Sequence, residues 1–387
     1  MTAKLSRSFH RLAITAMLST LAVLIAPAAQ AAGTVGTGTS ASCTDAALDT
    51  ALTGGGLVTF NCGGGAVTIT VLTTKSITLN TTIDGGAGNL ITLSGGNVQR
   101  VMVVNSGTAT LTLQNLTIAN GNTGGNGGGV LNAGTLIVTN STFTANQAGS
   151  GGAISNASGG AGTVTITGST FSGNTATNGG AIYNSGNAVT ITNSTFTGNS
   201  ATAGGAILGD GGLITLRNVT ISGNSAVGSG GGIFDGIDNS EAHNSIIANN
   251  TPTNCGGSAI DSIPSSYNLI GDASCGISGT GNLINTNPLL AALASNGGPT
   301  QTMALNAGSP AINTGSPNLA GIDICATVDQ RGTVRPQGTR CDIGAFEAAA
   351  APPPASIGPI PTLSEWALFA LAGLVGLWGV AKIRRTG

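Results

Sequence analysis

One block of sequence recurs every 25 to 28 residues through the middle of the chain. It reads NSTFTANQAGSGGAI from Asn140, GSTFSGNTATNGGAI from Gly168, NSTFTGNSATAGGAI from Asn193 and NVTISGNSAVGSGGGI from Asn218. When Asn115 and Asn244 are aligned with the first residue of each block, the steps are 25, 28, 25, 25 and 26 residues. A period of this length indicates a solenoid, in which each repeat forms one coil that stacks on the previous one.

Apolar and Thr-rich columns alternate around the first residue of each block. The columns two and four residues before it, and three residues after it, are mostly apolar: Leu113, Val138, Ile166, Ile191, Leu216, Ala242; Leu111, Leu136, Val164, Val189, Ile214, Ser240; Ile118, Phe143, Phe171, Phe196, Ile221, Ile247. The columns between them are Thr112, Ile137, Thr165, Thr190, Thr215, Glu241, and Gln114, Thr139, Thr167, Thr192, Arg217, His243. Alternation with period two predicts strands that have one inward and one outward face.

No helical periodicity interrupts these strands, and too few residues separate them for helical crossovers. The pattern therefore predicts an all-β fold, a right-handed parallel β-helix with about 25 residues per coil. The handedness follows from the rule for parallel crossovers. Each column becomes a ladder with a spacing of about 4.8 Å. We expect Phe143, Phe171 and Phe196 to stack inside the coils.

Asn residues form two further columns. The first contains the reference residues, and the second contains Asn146, Asn174, Asn199, Asn224 and Asn250. Asn tolerates the left-handed conformation of a tight turn, so an Asn column is expected at a corner of the coil. Stacked amides can also donate hydrogen bonds from one coil to the next. The Gly-Gly pair of each block supplies backbone freedom at another corner.

The β-helix is predicted to occupy residues 32–313, with roughly ten coils between Leu57 and Asn313. Ahead of these coils, the stretch from Cys43 to Leu52 has helical spacing and follows Ser42 and Thr44, either of which can cap a helix. This short N-terminal helix is expected to cover the open end of the solenoid, because exposed edge strands promote aggregation.

Both ends of the chain have the pattern of targeting segments. Residues 1–31 predict a secretory signal peptide, with Lys4, Arg7 and Arg11, an apolar run and a small-residue cleavage site at Ala29–Ala31. At the other end, 366–381 predicts a C-terminal transmembrane helix of 16 uncharged residues, and Lys382, Arg384 and Arg385 follow it. A complete span needs about 20 residues. The basic residues predict a cytoplasmic C-terminus and an exported body.

Once these ends are set aside, the body keeps six basic and thirteen acidic residues, for a net charge of about −7. A body of this charge is not expected to bind nucleic acid or anionic lipid.

The six cysteines all lie in the exported body and form three sequential pairs. In an oxidising compartment, the local pairs Cys43–Cys62, Cys255–Cys275 and Cys325–Cys341 are the expected disulfides among fifteen possible pairings. A metal site would require nearby histidines, and the body contains only His243. We predict no metal and no cofactor.

Many β-helices cleave acidic polysaccharides with clustered carboxylates or Ca²⁺. The charged and titratable residues between Val101 and Asn250 form one candidate polar patch: Asp210, Arg217, Asp235, Asp238, Glu241 and His243. Arg217 and His243 share a column, and Glu241 is predicted on the same outward face. The patch is interpreted as the solvated end of the rod, and a lyase or hydrolase stays as the alternative. Ice binding through the Thr columns is a minor alternative, because Ile137, Arg217, Glu241 and His243 interrupt them.

A second mixed-charge group consists of Asp329, Arg331, Arg335, Asp342 and Glu347, and it brackets Cys325 and Cys341. These residues are expected to form ion pairs that lock a terminal cap.

The blocks with GGAI and FTAN, FSGN or FTGN resemble the repeats of the polymorphic outer-membrane protein family, whose β-helical passenger regions are adhesive. The resemblance covers Asn115 to Asn250 and extends to pectin-lyase-like β-helices in general. Residues 287–347 are similar to the choice-of-anchor Q domain, which follows β-helical surface proteins. That region overlaps the last predicted coils.

The C-terminal residues 360–387 resemble the IPTL-CTERM sorting signal of Gram-negative bacteria. The motif is Ile360, Pro361, Thr362, Leu363, Ser364, Glu365 and Trp366. Its Pro-rich upstream segment, 348–359, predicts an extended linker. The resemblance implies an inner-membrane precursor that an exosortase-type enzyme processes and transfers to the cell surface or beyond. Together these features predict a non-enzymatic surface protein for adhesion or scaffolding, whose partners include glycans or surface proteins.

Overall fold

The computed structural model describes residues 33–156, 162–237, 240–258, 260, 264–317, 325–350, 367 and 369–375. The chain divides into two compact units, Met1–Ala349 and Ala350–Gly387. The signal peptide, Asp238 and the sorting motif lie outside the described residues.

Three parallel sheets form the walls of the first unit, and their strands are numbered along the chain. Sheet A contains β1 (Gly33–Val35), β2 (Gly56–Phe60), β5 (Thr81–Asp84), β8 (Thr110–Gln114), β11 (Thr135–Thr139), β15 (Thr163–Thr167), β19 (Val189–Thr192), β23 (Ile214–Arg217) and β27 (Ser240–His243). Sheet B contains β3 (Val67–Thr70), β6 (Ile91–Ser94), β9 (Thr117–Ala119), β12 (Thr142–Thr144), β16 (Thr170–Ser172), β20 (Thr195–Thr197), β24 (Thr220–Ser222), β28 (Ile246–Ala248) and β30 (Leu269–Ile270). Sheet C contains β4 (Lys75–Ile77), β7 (Met102–Val104), β10 (Val130–Asn132), β14 (Ile154–Asn156), β18 (Ile182–Asn184), β22 (Ile207–Gly209), β26 (Ile233–Asp235) and β29 (Cys255–Gly257).

A smaller parallel sheet D widens one corner, with β13 (Gln147–Ser150), β17 (Thr175–Asn178), β21 (Ser200–Ala201) and β25 (Ser225–Ala226). Strands with equivalent places in successive repeats pair with each other, as the predicted columns require. Val164 of β15 lies beside Val189 of β19, and Phe143 of β12 lies beside Phe171 of β16. The fold is therefore a parallel β-solenoid of about nine coils, which confirms the predicted class.

The inward columns form one continuous core. Phe143, Phe171 and Phe196 are completely buried, and their rings stack with centroid distances of 4.9 Å and 4.6 Å. Stacking follows from the repeat because equivalent side chains on parallel strands lie one strand spacing apart. The predicted register is confirmed.

The two Asn columns have different roles. The first, at the corner between sheets A and B, has the left-handed backbone expected of a tight turn, with φ between 47° and 56° at Asn115, Asn140, Asn193, Asn218 and Asn244. The second forms a buried amide ladder that passes from Asn146 through Asn174, Asn199 and Asn224 to Asn250, with N···O distances of 2.8–3.0 Å. A further buried ladder joins Asn132, Asn156 and Asn184, which the repeat analysis did not identify.

The N-terminal helix α1 (Asp45–Leu52) packs on the first coil. The side chain of Thr44 accepts a hydrogen bond from the amide of Ala47, which identifies Thr44 as the cap. Lys75 is buried on the edge strand β4. Its Nζ lies 2.5 Å from Asp45 Oδ1 and 2.6 Å from Asp49 Oδ1. The ammonium group thus ties the helix to the edge of sheet C.

The parallel coils end earlier than the sequence predicts. The last strand in sheet B is β30, and beyond it β31 (Leu290–Ala294) pairs antiparallel with β32 (Thr302–Leu305). Residues 287–313 therefore do not continue the parallel ladders. The spacing of apolar residues alone did not distinguish this hairpin from a further coil.

Residues 287–317 and 325–349, which we call the C-terminal strap, lie along the outside of the solenoid. The strap contacts the corner between sheets A and B. Thr300 Oγ1 donates a hydrogen bond of 2.7 Å to the carbonyl of Gly168. Asn193 Nδ2 donates to the carbonyl of Val328 at 2.8 Å. The amide of Ser316 donates to Asn244 Oδ1 at 2.7 Å.

The strap also covers the outer face of sheet B. The outward residues Ile246, Ala248 and Leu269 form a small apolar cluster with Leu305, Ala311 and Ile343 of the strap. Because the apolar surface that needs covering lies on this flank, the segment predicted as a terminal cap packs along the side of the coils instead.

All three predicted disulfides, Cys43–Cys62, Cys255–Cys275 and Cys325–Cys341, are present. In the second unit, the structure describes a short helix at 369–375. Among the described residues, no helix has the length and apolarity needed to cross a membrane.

Candidate functional site

The predicted polar patch divides between two sheets. Asp210 and Asp235 lie at sheet C, where Asp235 pairs in register with Gly209. Glu241 and His243 belong to β27 of sheet A, and Arg217 on β23 pairs in register with His243. The sequence placed these residues on neighbouring coils correctly, and the structure assigns the described ones to two different sheets.

The sheet A part of the patch is largely buried. His243 is completely buried and Glu241 is 4% exposed, although the alternation of the strand turns both side chains outward. Glu241 Oε1 accepts a hydrogen bond of 2.9 Å from Thr215 Oγ1 on the preceding coil. The expectation that this group forms a solvated end of the rod is therefore wrong for Glu241 and His243. Burial restricts their contact with any large substrate.

Asp210 is the exposed acid of the sheet C part, whereas Asp235 is buried and accepts a hydrogen bond from the amide of Ile237. Among the residues that the structure describes, no group of three or more His, Cys, Asp or Glu side chains is arranged to hold a metal ion.

The outward side chains of sheet C differ from those of the other sheets. They form a single register of mostly apolar residues, which we call the outer column of sheet C: Val103, Leu131, Ser155, Tyr183, Leu208 and Phe234. Leu131, Tyr183 and Phe234 are half-buried, because neighbours in a stacked column shield one another. Outward positions on sheets A and B are mainly Thr and Ser. Sheet C thus has a mostly apolar outward column, in which Val103, Ser155 and Leu208 are buried.

Tyr183 combines this apolar surface with a polar group. Its hydroxyl donates a hydrogen bond of 3.1 Å to Asp210 Oδ2 on the next coil. Partial burial, followed by the neighbouring Asp210 carboxylate, raises the pKa of Tyr183 above its ordinary value. The phenol therefore stays protonated at neutral pH and holds the carboxylate beside the ring. The sequence does contain a signal for this column, because each of its residues follows an inward aliphatic residue.

The Thr columns are also in register. Thr112, Ile137, Thr165, Thr190 and Thr215 follow one another across sheet A, and Thr165 is exposed. Sheet B has an equivalent outward Thr column, which the strap covers. Its residues Thr170, Thr195 and Thr220 are buried.

The second mixed-charge group forms the predicted ion pairs within the strap. Arg335 Nη1 lies 2.8 Å from Glu347 Oε2, with both side chains about 1% exposed, and Arg331 Nη2 lies 2.7 Å from Asp329 Oδ2. The Arg331 guanidinium also stacks on Phe346, with its Cζ 3.6 Å from the ring centroid.

Asp342 belongs to the same group but has no ion pair as close as these. Its carboxylate accepts the amides of Asn313 and Ala348. Burial, which outweighs these two hydrogen bonds, raises the pKa of Asp342 to about 6. Burial also lowers the pKa of Arg335, although Glu347, Asp329 and Asp342 oppose that effect.

Comparison with known sequences identifies the IPTL-CTERM motif at residues 359–385. No curated protein matches the chain significantly. No solved structure does so either. The motif indicates an exported, membrane-anchored protein of the cell surface that is processed by an exosortase-type sorting enzyme, and the body of this protein is a β-solenoid.

Proposed function

We propose that this chain is a non-enzymatic adhesin of the cell surface, which binds neutral glycans through the outer column of sheet C. The observation that carries the proposal is the pair of half-buried aromatic rings on one outward register, with Asp210 hydrogen-bonded to one of them. Aromatic faces pack on the apolar faces of sugar rings, and a carboxylate accepts hydrogen bonds from sugar hydroxyls.

The distribution of aromatic residues supports this surface. Phe143, Phe171 and Phe196 lie in the core and present no surface to a ligand. Of the few aromatic residues left in the body, Tyr183 and Phe234 lie on the same column, and Leu208 lies between them. The acidic charge of the body, about −7, favours neutral over acidic glycans. The resemblance to adhesive β-helical passengers agrees with this function.

Replacing Tyr183 or Phe234 with Ala is expected to weaken glycan binding by about tenfold or more, because each change removes one ring contact. The measurement is binding of the purified native protein to a glycan array, followed by titration with the best neutral oligosaccharide. Thr190→Ala, an outward change on sheet A, is the matched control and should bind as the wild type does. Circular dichroism checks that each variant keeps its fold.

Three outcomes would contradict this function. Binding that survives both aromatic changes would place the contact surface elsewhere, and capture of surface proteins without any glycan would change the class of ligand. Turnover of acidic glycans, tested with and without Ca²⁺ and abolished by His243→Ala, would favour the lyase or hydrolase alternative.

We also propose that the mature protein begins near Ala32 and ends close to the sorting motif. A span as short as 366–381 is suited to a temporary membrane tether, since a complete span needs about 20 residues. Mass spectrometry of the native surface protein should therefore find no peptide that contains Trp378 or Arg385. Recovery of those peptides from surface-located protein would show that the segment is a permanent anchor.

A further inference from the structure

We infer that the C-terminal strap contains a binding site for a small carboxylate-bearing ligand, in the cavity that Arg335 and Arg340 line. This cavity has a volume of about 350 Å³, and its other lining residues are Ser316, Pro317, Ala326, Thr327, Pro336, Thr339 and the Cys325–Cys341 disulfide. The inference is independent of the proposed glycan surface, because the cavity lies in the strap and the outer column lies on sheet C.

Unmatched donors on two arginines carry the inference. The Nε of Arg335 and the Nε of Arg340 are both buried, and neither has a hydrogen-bond acceptor among the described residues. A guanidinium donates five N–H groups and accepts none. Leaving a buried donor without a partner destabilises a protein, so each of these two donors requires an acceptor, which water or a ligand in the cavity would supply.

Arg335 is fixed by its other contacts. Its Nη1 donates to Glu347 Oε2 and to the carbonyl of Asp342, both at 2.8 Å, and its Nη2 donates to the carbonyl of Gly344 at 2.7 Å. One bond is formed by Nη2, which has two hydrogens. Nη2 therefore keeps a second hydrogen, and Nη2 and Nε lie on one edge of the guanidinium, the kind of edge that binds a carboxylate.

Arg340 supplies the positive charge. Its Nη2 donates to the carbonyls of Thr314 and Gly315, and its Cζ lies 5.4 Å from the ring centroid of Tyr267. The ion pairs of the described residues involve Lys75, Arg331 and Arg335, and none includes Arg340. The charge of Arg340 is thus held in place by neutral groups and is available to an anion.

The remaining lining selects the type of anion. Pro317, Ala326, Pro336 and the disulfide present apolar surface, and the volume is within the range of small-molecule sites. Two guanidiniums beside an apolar wall suit a small ligand that has one carboxylate and is otherwise mainly apolar. Polyanions are disfavoured by the acidic charge of the whole body.

Isothermal titration calorimetry of the native protein with benzoate tests this site. Benzoate should bind saturably, and benzamide, which has the same shape without the charge, should bind at least about tenfold more weakly. Arg340→Gln should weaken benzoate binding by about tenfold to 100-fold. Arg100→Gln is the matched control, because Arg100 likewise donates to backbone carbonyls, those of Asn126 and Gly127, but lies outside the cavity.

A second measurement keeps the test independent of how Arg340→Gln folds. In the wild-type protein, the ¹H–¹⁵N signals of the Arg335 and Arg340 Nε groups should shift on addition of benzoate, and that of Arg100 should not. The inference is overturned if benzoate does not bind the wild type, if Arg340→Gln binds it equally well, or if the two Nε signals do not move. Equal affinity for sulfate would overturn the assignment of the ligand as a carboxylate with an apolar body.

Discussion

Phe171→Asp is expected to prevent the solenoid from folding. Phe171 is completely buried between Phe143 and Phe196, with its ring centroid 4.9 Å from the first and 4.6 Å from the second. An aspartate at this place would put a carboxylate among phenyl rings with no cation beside it, and burial of an unpaired charge costs several kcal/mol or more. The cost falls in the middle of the stack, where each coil depends on the packing of both neighbours.

The measurement is far-ultraviolet circular dichroism with urea unfolding of the purified body. Phe171→Ala should lower the free energy of unfolding by about 3–5 kcal/mol, because the core cannot collapse to fill the cavity that the missing ring leaves. Thr165→Asp introduces the same charge at an exposed outward position of the same coil and should change stability by about 0.5 kcal/mol or less. A folded Phe171→Asp protein with wild-type stability would show that the ring column is not inside.

Glu347→Ala is expected to release the C-terminal strap while the coils stay folded. The Glu347 carboxylate receives three hydrogen bonds, from Arg335 Nη1, from the amide of Asp342 and from the amide of Gln337, at 2.8–2.9 Å. Its removal leaves the buried Arg335 without its ion-pair partner. Breaking one partner of a buried pair destabilises by about 3–5 kcal/mol.

Hydrogen exchange with mass spectrometry should locate this effect. Amides of residues 325–349 should exchange much faster in Glu347→Ala, whereas those of β15 and β19 should keep their protection, since stability varies along a structure. Glu347→Gln keeps the shape without the charge and should have an intermediate effect, and Asp210→Ala, at an exposed acid, should have none in the strap. Uniform loss of protection along the whole chain would contradict a separable strap.

The features that repeat could be predicted from particular residues. The alternation around Leu113 and Val138 assigns inward and outward faces without any knowledge of distant contacts. It therefore placed Phe171 inside and Thr165 outside correctly. The left-handed turn at Asn193 and the amide ladder through Asn174 follow from the same spacing. The outer column of sheet C could also have been predicted from the sequence, because Tyr183 directly follows the inward Ile182.

The remaining features depend on contacts between segments that are far apart in the chain. The strap meets the corner residue Asn218 through Ala326, more than one hundred residues later, and no period connects the two. The burial of His243, the unmatched donors of Arg335 and Arg340, and the division of the polar patch likewise depend on which surfaces come together. The repeat determined the coil because its pattern is local, and it determined which side chains of each strand face the core. Only the tertiary structure decided what covers the outside of the coils, because the outward side of a strand has the same alternation whether solvent or another segment lies against it.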